Sequence, residues 1–379
     1  MRTEDNKYKL TFLIRYTADA FFYPFFSLYL YSIGKTAKDI GLILMILPLI
    51  SVFVNPIWSY FARTVKHNKI FAIVFSLVEA LFILILLNFN QLFVIVLVTI
   101  ALGAVNQPFF ILLDSQATIY TIDTKKNYSA IRLFGSLGYA IGVVISGYII
   151  KNFGVYSISF AVTITLYLIA TILIITLKPL KAETKTEPLE KSDFKLLSKN
   201  KNYLLFLGFY VISIATLFGG EAFWGPYFKL RGISEENFGW ISFVAYIVEV
   251  GFLFLLAKYG EKIKLKLIMI LIPLINGIRY LIYAFNLSIG FLVFSSILRA
   301  FVMASILHVL VRYLSRHVTQ KNLTLAMIIY GSIKNIFQAL ITVGGGFIIE
   351  FYNYTYFFII ISIIAFCALF FIKYREAQS

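Results

Sequence analysis

The sequence predicts an all-α integral membrane protein, with twelve transmembrane helices in two six-helix bundles around a central cavity. Three observations predict it. The 379 residues are 60% hydrophobic, 18% aromatic and only 14% charged, with a mean hydropathy of +0.86; a soluble domain carries about 25% charged residues. Apolar runs of about 20 residues recur along the whole length, which suits membrane-crossing helices and not the short alternating strands of a porin-type barrel. Finally, Lys and Arg are dense on every second segment between runs and sparse on the others, the bias that orients a multi-pass chain.

Taken in order, the runs cover about residues 9–32, 40–61, 69–88, 91–122, 129–150, 154–177, 203–227, 237–257, 265–285, 288–311, 322–348 and 354–372. With the N-terminus in the cytoplasm, 24 of the 34 Lys and Arg fall on the seven inside segments and five on the six outside loops. Both termini are therefore expected inside, in a bacterial cytoplasmic (inner) membrane. The long polar stretch KPLKAETKTEPLEKSDFKLLSKNKN from Lys178 to Asn202 divides the runs six and six. It is charged, carries two prolines and has no continuous apolar face, so it reads as a cytoplasmic linker. The expected division is an N-terminal bundle at 1–178, the linker at 179–202 and a C-terminal bundle at 203–379. A weak internal repeat supports related halves. The fifth span holds Gly135-Ser136-Leu137 and ends Gly147-Tyr148-Ile149-Ile150-Lys151; the eleventh holds Gly331-Ser332-Ile333 and ends Gly346-Phe347-Ile348-Ile349-Glu350. Paired six-helix halves are a transporter architecture.

Several function classes are excluded. The formal charge of +16 is scattered over short loops, so it reads as topology signal and anionic-lipid contact and not as a nucleic-acid surface. One cysteine, Cys367, forms no internal disulfide, and three histidines with one cysteine leave no metal site; no cofactor is expected. The N-terminal MRTEDNKYK mixes acids with bases and lacks a small-residue cleavage site, so it is not read as a removable signal peptide.

Ten charges lie inside the spans: Asp19, Glu79, Asp114, Glu221 and Glu249 against Arg15, Arg132, Arg279, Arg299 and Lys334. Each costs about 2.5–3.5 kcal/mol at a bilayer centre, so they pair or face a wet cavity. Arg15 and Asp19 are spaced i, i+4 and can satisfy one another locally. Glu79 stands by itself in the third span and reads as a protonated or interhelical hydrogen-bonded carboxyl. The stretch DSQATIYTIDTKKNYSAIRLFGSLGY, Asp114 to Tyr139, is the most informative. A turn at DTKKN makes it a hairpin with Asp114 and Arg132 at similar depth, and the carboxylate there needs a cation. Tyr139, two turns beyond Arg132, adds a ring on the same face. Gly135, Gly138 and Gly142 leave a smooth surface for a neighbouring helix. Pro24, Pro48, Pro56, Pro108, Pro226 and Pro273 interrupt spans and fit the bent helices of a moving bundle.

The run FYPFFSLYLYSIGKTAKDIGLILMILPLISVFVNPIWSYFA, Phe22 to Ala62, resembles the first two helices of the major facilitator superfamily. PFFILLDSQA, Pro108 to Ala117, followed by IRLFGSLGYAIG is similar to the helix 4–5 signature of its lactose permease and phenylpropionate-permease-like (oligosaccharide:proton symporter) branch. The resemblance implies that Asp114 and Arg132 bind substrate and that Tyr139 stacks on a sugar ring. It implies roles in coupling for Arg279 and Glu221, an ion pair between Lys334 and a seventh-span acid, here Glu221, and a role in both binding and coupling for Glu249. Arg299 and Val302 stand where the branch has its coupling histidine and proton-carrying glutamate, so the proton is expected on Glu249, Glu221, Asp19 or Glu79, with Glu249 first. The loop SYFARTVKHNK places Arg63 where the superfamily's gating motif has aspartate, and the fifth span lacks the proline of drug antiporters.

The resulting expectation is a secondary active transporter, not an enzyme, moving a sugar or glycoside by alternating access with protons. The substrate contacts would be Asp114, Arg132, Tyr139, Glu249 and Arg299. Glu249, Arg279, Glu221, Lys334, Arg15 and Asp19 would form coupling or ion-pair sites. The partners would be a small molecule, protons or another cation, and membrane lipids, around a monomer. Arg132, Arg279 and Arg299 also suit an aromatic or other organic acid. A membrane-embedded transferase is a remote third reading, because its acids and histidines would gather at one membrane face beside a long catalytic loop.

Overall fold

The computed structural model describes residues 2–61, 65–178, 200–317 and 320–372. Among these are fourteen α-helices and no strand. They are α1 (Arg2–Ser32), α2 (Ala37–Leu44), α3 (Ile46–Phe61), α4 (Val65–Asn88), α5 (Leu92–Thr124), α6 (Tyr128–Phe153) and α7 (Tyr156–Thr176). After these come α8 (Lys201–Glu221), α9 (Trp224–Leu230), α10 (Glu235–Tyr259), α11 (Leu265–Ala284), α12 (Ile289–His317), α13 (Gln320–Phe351) and α14 (Tyr354–Cys367). Most of the linker expected at 179–202, and Arg63 of the loop motif, lie outside the described residues.

The helices follow the twelve apolar runs, with two of the runs divided. The second run is α2 plus α3, and the seventh is α8 plus α9. Proline chemistry accounts for both breaks. A proline cannot donate to the carbonyl four residues earlier. That carbonyl belongs to Leu44, the last residue of α2, for Pro48, and to Ala222, just beyond α8, for Pro226. Pro108 sits inside α5 and releases Ala104, whose carbonyl instead accepts Trp58 Nε1–H of α3 at 3.2 Å. Among the described residues eleven segments are long and apolar enough to cross a membrane. The 31-residue α1 carries Pro24 and, near its middle, Arg15 and Asp19, which dilute its apolar character.

Polar residues place the helix ends. Thr36 and Asp39 form a reciprocal capping box at the start of α2. Asn127, Asn200 and Asn353 accept from backbone N–H groups at the starts of α6, α8 and α14. The turn expected at DTKKN is present, with Lys125 at φ 53° and Asn127 as cap.

The residues group into two compact units. The first combines Met1–Lys35, Ile46–Glu187 and Phe228–Phe243. In it α1 packs on α6 and α7, α4 packs on α5 and α7, and α3 packs on α5. The glycine face of α6 receives α1 closely: a Cβ at Gly142 would lie 2.9 Å from the Ala20 methyl, and one at Gly138 would run into the Leu13 carbonyl. The second unit combines Thr36–Met45, Pro188–Tyr227 and Val244–Ser379, so the grouping is not contiguous in sequence. Here α13 packs on α8 and α2, and α11 packs on α12 and α14. Its core is built on aromatic and aliphatic side chains such as Phe206, Phe209, Tyr210, Ile272 and Tyr313.

Candidate functional site

The polar side chains inside the first unit form two arrangements of different character. The first is closed. Arg15 reaches Asp19 Oδ1 through Nη1 at 2.7 Å and Glu79 Oε2 through Nη2 at 2.6 Å. Tyr167 Oη also donates to Asp19 Oδ1, at 2.6 Å, and Asn106 Nδ2 donates to Glu79 Oε1 at 2.8 Å. The guanidinium lies 4.2 Å from the ring centroid of Phe109 and 4.1 Å from that of Tyr167. Arg15 and Glu79 are wholly inaccessible and Asp19 nearly so. The helix spacing of Arg15 and Asp19 does produce the local pair, and Glu79 is the interhelical hydrogen-bonded carboxyl, because α4 brings it to the same guanidinium.

The second arrangement is open. Asp114, Arg132 and Tyr139 are all half-buried. Asp114 Oδ1 accepts a hydrogen bond from Tyr128 Oη at 2.8 Å, and the Arg132 guanidinium lies 4.3 Å from the ring centroid of Tyr16. The expected Asp114–Arg132 ion pair is therefore not formed within 4 Å. The reason is packing. α6 lays its face along α1 rather than along α5, so Tyr16 of α1 comes beneath the guanidinium and Tyr128 reaches the carboxylate. Arg132 still exerts an attraction on Asp114. Tyr139 packs against the unit's hydrophobic core, whose members include Tyr16 and Phe109.

In the second unit four charges form a chain. Arg299 holds Glu221 through Nε at 3.0 Å and Glu249 through Nη1 at 2.5 Å. Arg279 Nη2 lies 3.4 Å from Glu221 Oε1, and its Nη1 donates to Asn276 Oδ1 at 3.0 Å. Two guanidiniums thus face two carboxylates. Their surroundings are aromatic: Trp224 and Tyr280 lie 5.0 and 4.7 Å from Arg279, and Tyr246 lies 5.2 Å from Arg299. Asn276 in turn donates to Thr216 Oγ1 at 3.1 Å.

This chain corrects one expectation. Glu221 does not pair with Lys334, because Arg299 and Arg279 already occupy it. Lys334 has no ion-pair partner among the described residues; its ammonium lies 5.5 Å from the ring centroid of Phe218. Glu249, Arg279, Arg299 and Glu221 are brought together, whereas Lys334 stands outside their chain. Sequence reasoning did not single out Asn106, Tyr128, Tyr167, Tyr246 or Asn276. In a chain with 25 tyrosines and 39 phenylalanines, nothing local marks a polar tip that meets a charge. The surplus of acids over bases in the first six spans, three against two, was the available signal for Glu79.

Outside the spans, Asp5 is bonded by Lys9 at 2.9 Å and Lys126 at 3.2 Å. Burial pushes its carboxyl up, and the two ammonium partners more than offset this, leaving it below the ordinary carboxylate value. Lys126 also donates to Tyr120 Oη at 3.1 Å, and Tyr120 stacks on Tyr8 with centroids 4.5 Å apart. This ties the start of α1 to the α5–α6 turn.

Comparison with known proteins agrees with this architecture. The model of the MFS_1 like family matches residues 6–360. The chain is 22% identical over 341 residues to the maltose permease of Geobacillus stearothermophilus, covering 89% of this chain and 86% of that one. It is also 22% identical over 317 residues to the uncharacterized transporter YwbF of Bacillus subtilis (strain 168), covering 83% and 79%. Among solved structures, the nucleoside transporter NupG superposes with a TM-score of 0.82 at 15% identity, over 98% of this chain and 100% of that one. A peptide-bound POT family transporter superposes with a TM-score of 0.74 at 12% identity, over 97% and 95%. The relatives are transporters and not enzymes. The chain is a multi-pass membrane protein with the major facilitator fold, and it belongs to the MFS_1 like family of secondary transporters.

Proposed function

We propose that the protein moves a sugar or glycoside across a bacterial inner membrane by alternating access, coupled to protons, as a monomer with both termini in the cytoplasm. The observation that carries the substrate class is the open arrangement in the first unit. Asp114 and Arg132 are half-buried, differ in charge and are not locked to each other, so both keep bonding capacity for a ligand. A pyranose offers adjacent hydroxyls that suit a forked guanidinium and a carboxylate, and an apolar ring face that suits Tyr139. Glu249 and Arg299 are further proposed substrate contacts. The maltose permease relative supports a sugar, and the nucleoside transporter neighbour supports a ligand that contains a sugar ring.

A second reading, an organic-acid permease, is favoured by one specific observation. Lys334 is a cation inside a span without a carboxylate partner among the described residues, and a substrate carboxylate would supply one. Uptake by purified protein in liposomes discriminates the readings. Maltose, uridine and phenylpropionate are offered separately under an inward proton gradient. The sugar reading expects accumulation of maltose, or of uridine, but not of phenylpropionate. Accumulation of phenylpropionate alone transfers the protein to the second reading.

A further inference from the structure

The buried charges of the two units do not balance in the same way. The Arg279–Glu221–Arg299–Glu249 chain has two bases for two acids. The Arg15 cluster has one base for two acids. Among the described residues no second cation lies within 4 Å of either Asp19 or Glu79. The groups that face the cluster are neutral or distant. α7 contributes Tyr167, and α5 contributes Asn106 and the rings of Phe109 and Phe110. Tyr23 of α1 lies within electrostatic reach of both carboxylates. From α6, Arg132 stops at Tyr16. α4 contributes Ser76, which is spent on the Tyr167 carbonyl.

A surplus carboxylate in a site closed to water cannot stay uncompensated: it takes a proton or a cation. A metal cation needs a shell of several oxygens. Among the described residues no group of three or more His, Cys, Asp or Glu side chains gathers, and three of the four carboxylate oxygens of this cluster already accept hydrogen bonds. A proton needs only one free lone pair, and the geometry supplies it at one atom. Both hydrogen bonds accepted by Asp19 fall on Oδ1, leaving Oδ2 unengaged. Glu79 uses both oxygens, Oε1 for Asn106 and Oε2 for Arg15. The Asp19 side chain is also the accessible member, at 4% against 0% for Arg15 and Glu79.

We propose that the Arg15–Asp19–Glu79 cluster, and not Glu249, carries the transported proton, which enters and leaves at Asp19 Oδ2. Uptake of one proton forms the Oδ2–H bond and takes the cluster from a net charge of −1 to 0. Release on the opposite side breaks that bond and restores −1. The Arg15–Glu79 pair remains in both states and keeps α1 tied to α4 throughout. Glu249, held by Arg299 in a balanced chain, has no surplus charge to neutralise. This assignment rests on the proton-coupled reading above.

Infrared difference spectroscopy between acidic and alkaline pH, on the full chain in lipid, reads the proton directly through the C=O stretch of a protonated carboxyl. Wild type is expected to show one such band on acidification. Asp19→Asn and Glu79→Gln each leave Arg15 with one carboxylate, so both keep a balanced core and both should lose the band, whereas Glu249→Gln keeps it. A band of undiminished intensity in either Asp19→Asn or Glu79→Gln overturns the assignment, as does its loss in Glu249→Gln alone. A second arm uses maltose in proteoliposomes. The ratio of internal to external maltose reached under an inward proton gradient should fall to about one in Asp19→Asn, while labelled maltose still exchanges against maltose preloaded inside. Accumulation above one by Asp19→Asn overturns the proposal. If wild type does not move maltose, the sugar reading is what fails, and the infrared arm decides the proton site by itself.

Discussion

Tyr128 donates its hydroxyl to Asp114 at 2.8 Å, and so a neutral side chain occupies the carboxylate that sequence reasoning gave to Arg132. The distinction matters for recognition. An intact Asp114–Arg132 pair would have to be broken before either group met a ligand, whereas one hydrogen bond from a neutral hydroxyl to a carboxylate contributes about 1.5–3 kcal/mol net. Replacing Tyr128 with Phe should therefore lower the thermal midpoint only modestly. Asp114→Ala and Arg132→Ala should each weaken maltose binding by at least about 100-fold, some 2.7 kcal/mol, in a protein that inserts and melts normally. Equilibrium binding by scintillation proximity on purified protein, with melting curves alongside, measures both effects, and wild-type affinity in either alanine variant would remove the residue from the site.

The Arg15 cluster makes an asymmetric stability prediction. Removing the guanidinium leaves two buried carboxylates without a cation, and breaking such a pair costs about 3–5 kcal/mol. Arg15→Ala should therefore be poorly folded in detergent, with a large loss of thermal midpoint. The triple change Arg15→Met, Asp19→Asn, Glu79→Gln removes the charges together and should recover most of that loss. Size-exclusion profiles and melting curves separate these outcomes; a triple variant as unstable as Arg15→Ala contradicts the charge argument.

Lys334 should respond in the opposite direction. Its ammonium is held inside a span with no carboxylate partner among the described residues, so Lys334→Met removes a desolvation cost and keeps the aliphatic packing beside Phe218. The expected result is a thermal midpoint equal to or above that of wild type. A clear fall in stability would indicate a structural role. Loss of phenylpropionate binding in this variant would strengthen the organic-acid reading.

The tie between the start of α1 and the α5–α6 turn gives a pH dependence outside the membrane. Asp5 is held below its ordinary value in the fold, so its ionised form is favoured by folding. Its contribution is present above the unfolded carboxylate value of about 3.9 and is lost as pH falls through the lower folded value. Asp5→Asn should lower the thermal midpoint at neutral pH, where the contribution is fully present, and flatten the profile in that acidic window, where wild type loses it too. Thermal melts between pH 3 and 7, about that unfolded value, test this.

Close packing supplies a further test. Gly142→Leu would drive a side chain into Ala20 and Thr17 of α1, where even a Cβ would approach to 2.9 Å. Overpacking of this kind typically costs about 1–3 kcal/mol. Gly251, with nothing within 4 Å of a Cβ, should accept alanine without loss of midpoint. Melting curves of the two variants beside wild type check both expectations.

The twelve runs were legible because lipid allows a crossing chain little besides helix, and because a run of about 20 apolar residues leaves few ways to divide it. The turn at Asp123–Asn127 was legible for the same reason, being the polar break between two runs. The residues that charge each site, Arg15, Asp19, Asp114, Arg132, Glu221, Glu249, Arg279 and Arg299, stood out because charges inside spans are rare. Partner choice was not legible. Which acid meets Arg299, or which ring lies under Arg132, depends on helix rotation and on which helix packs against which, and sequence spacing within one helix says nothing of either. Glu79 shows this clearly: its partner lies 64 residues away on α1, and only a charge count over the whole half pointed to it.

Pro108 interrupts α5 four residues after Ala104, and the carbonyl so released is taken by the indole of Trp58. A missing bond along one helix thereby becomes a bond between two. The stretch that follows carries Phe109 and Phe110 onto Arg15 and, a turn further on, Asp114 toward the open site. Trp58 thus acts as a lateral tether at the top of the segment that serves both polar clusters. The tether joins α5 to α3 just ahead of Asn106, which meets Glu79, and of Asp114, which meets Tyr128, so one helix supplies a partner to each cluster from a segment held at its start.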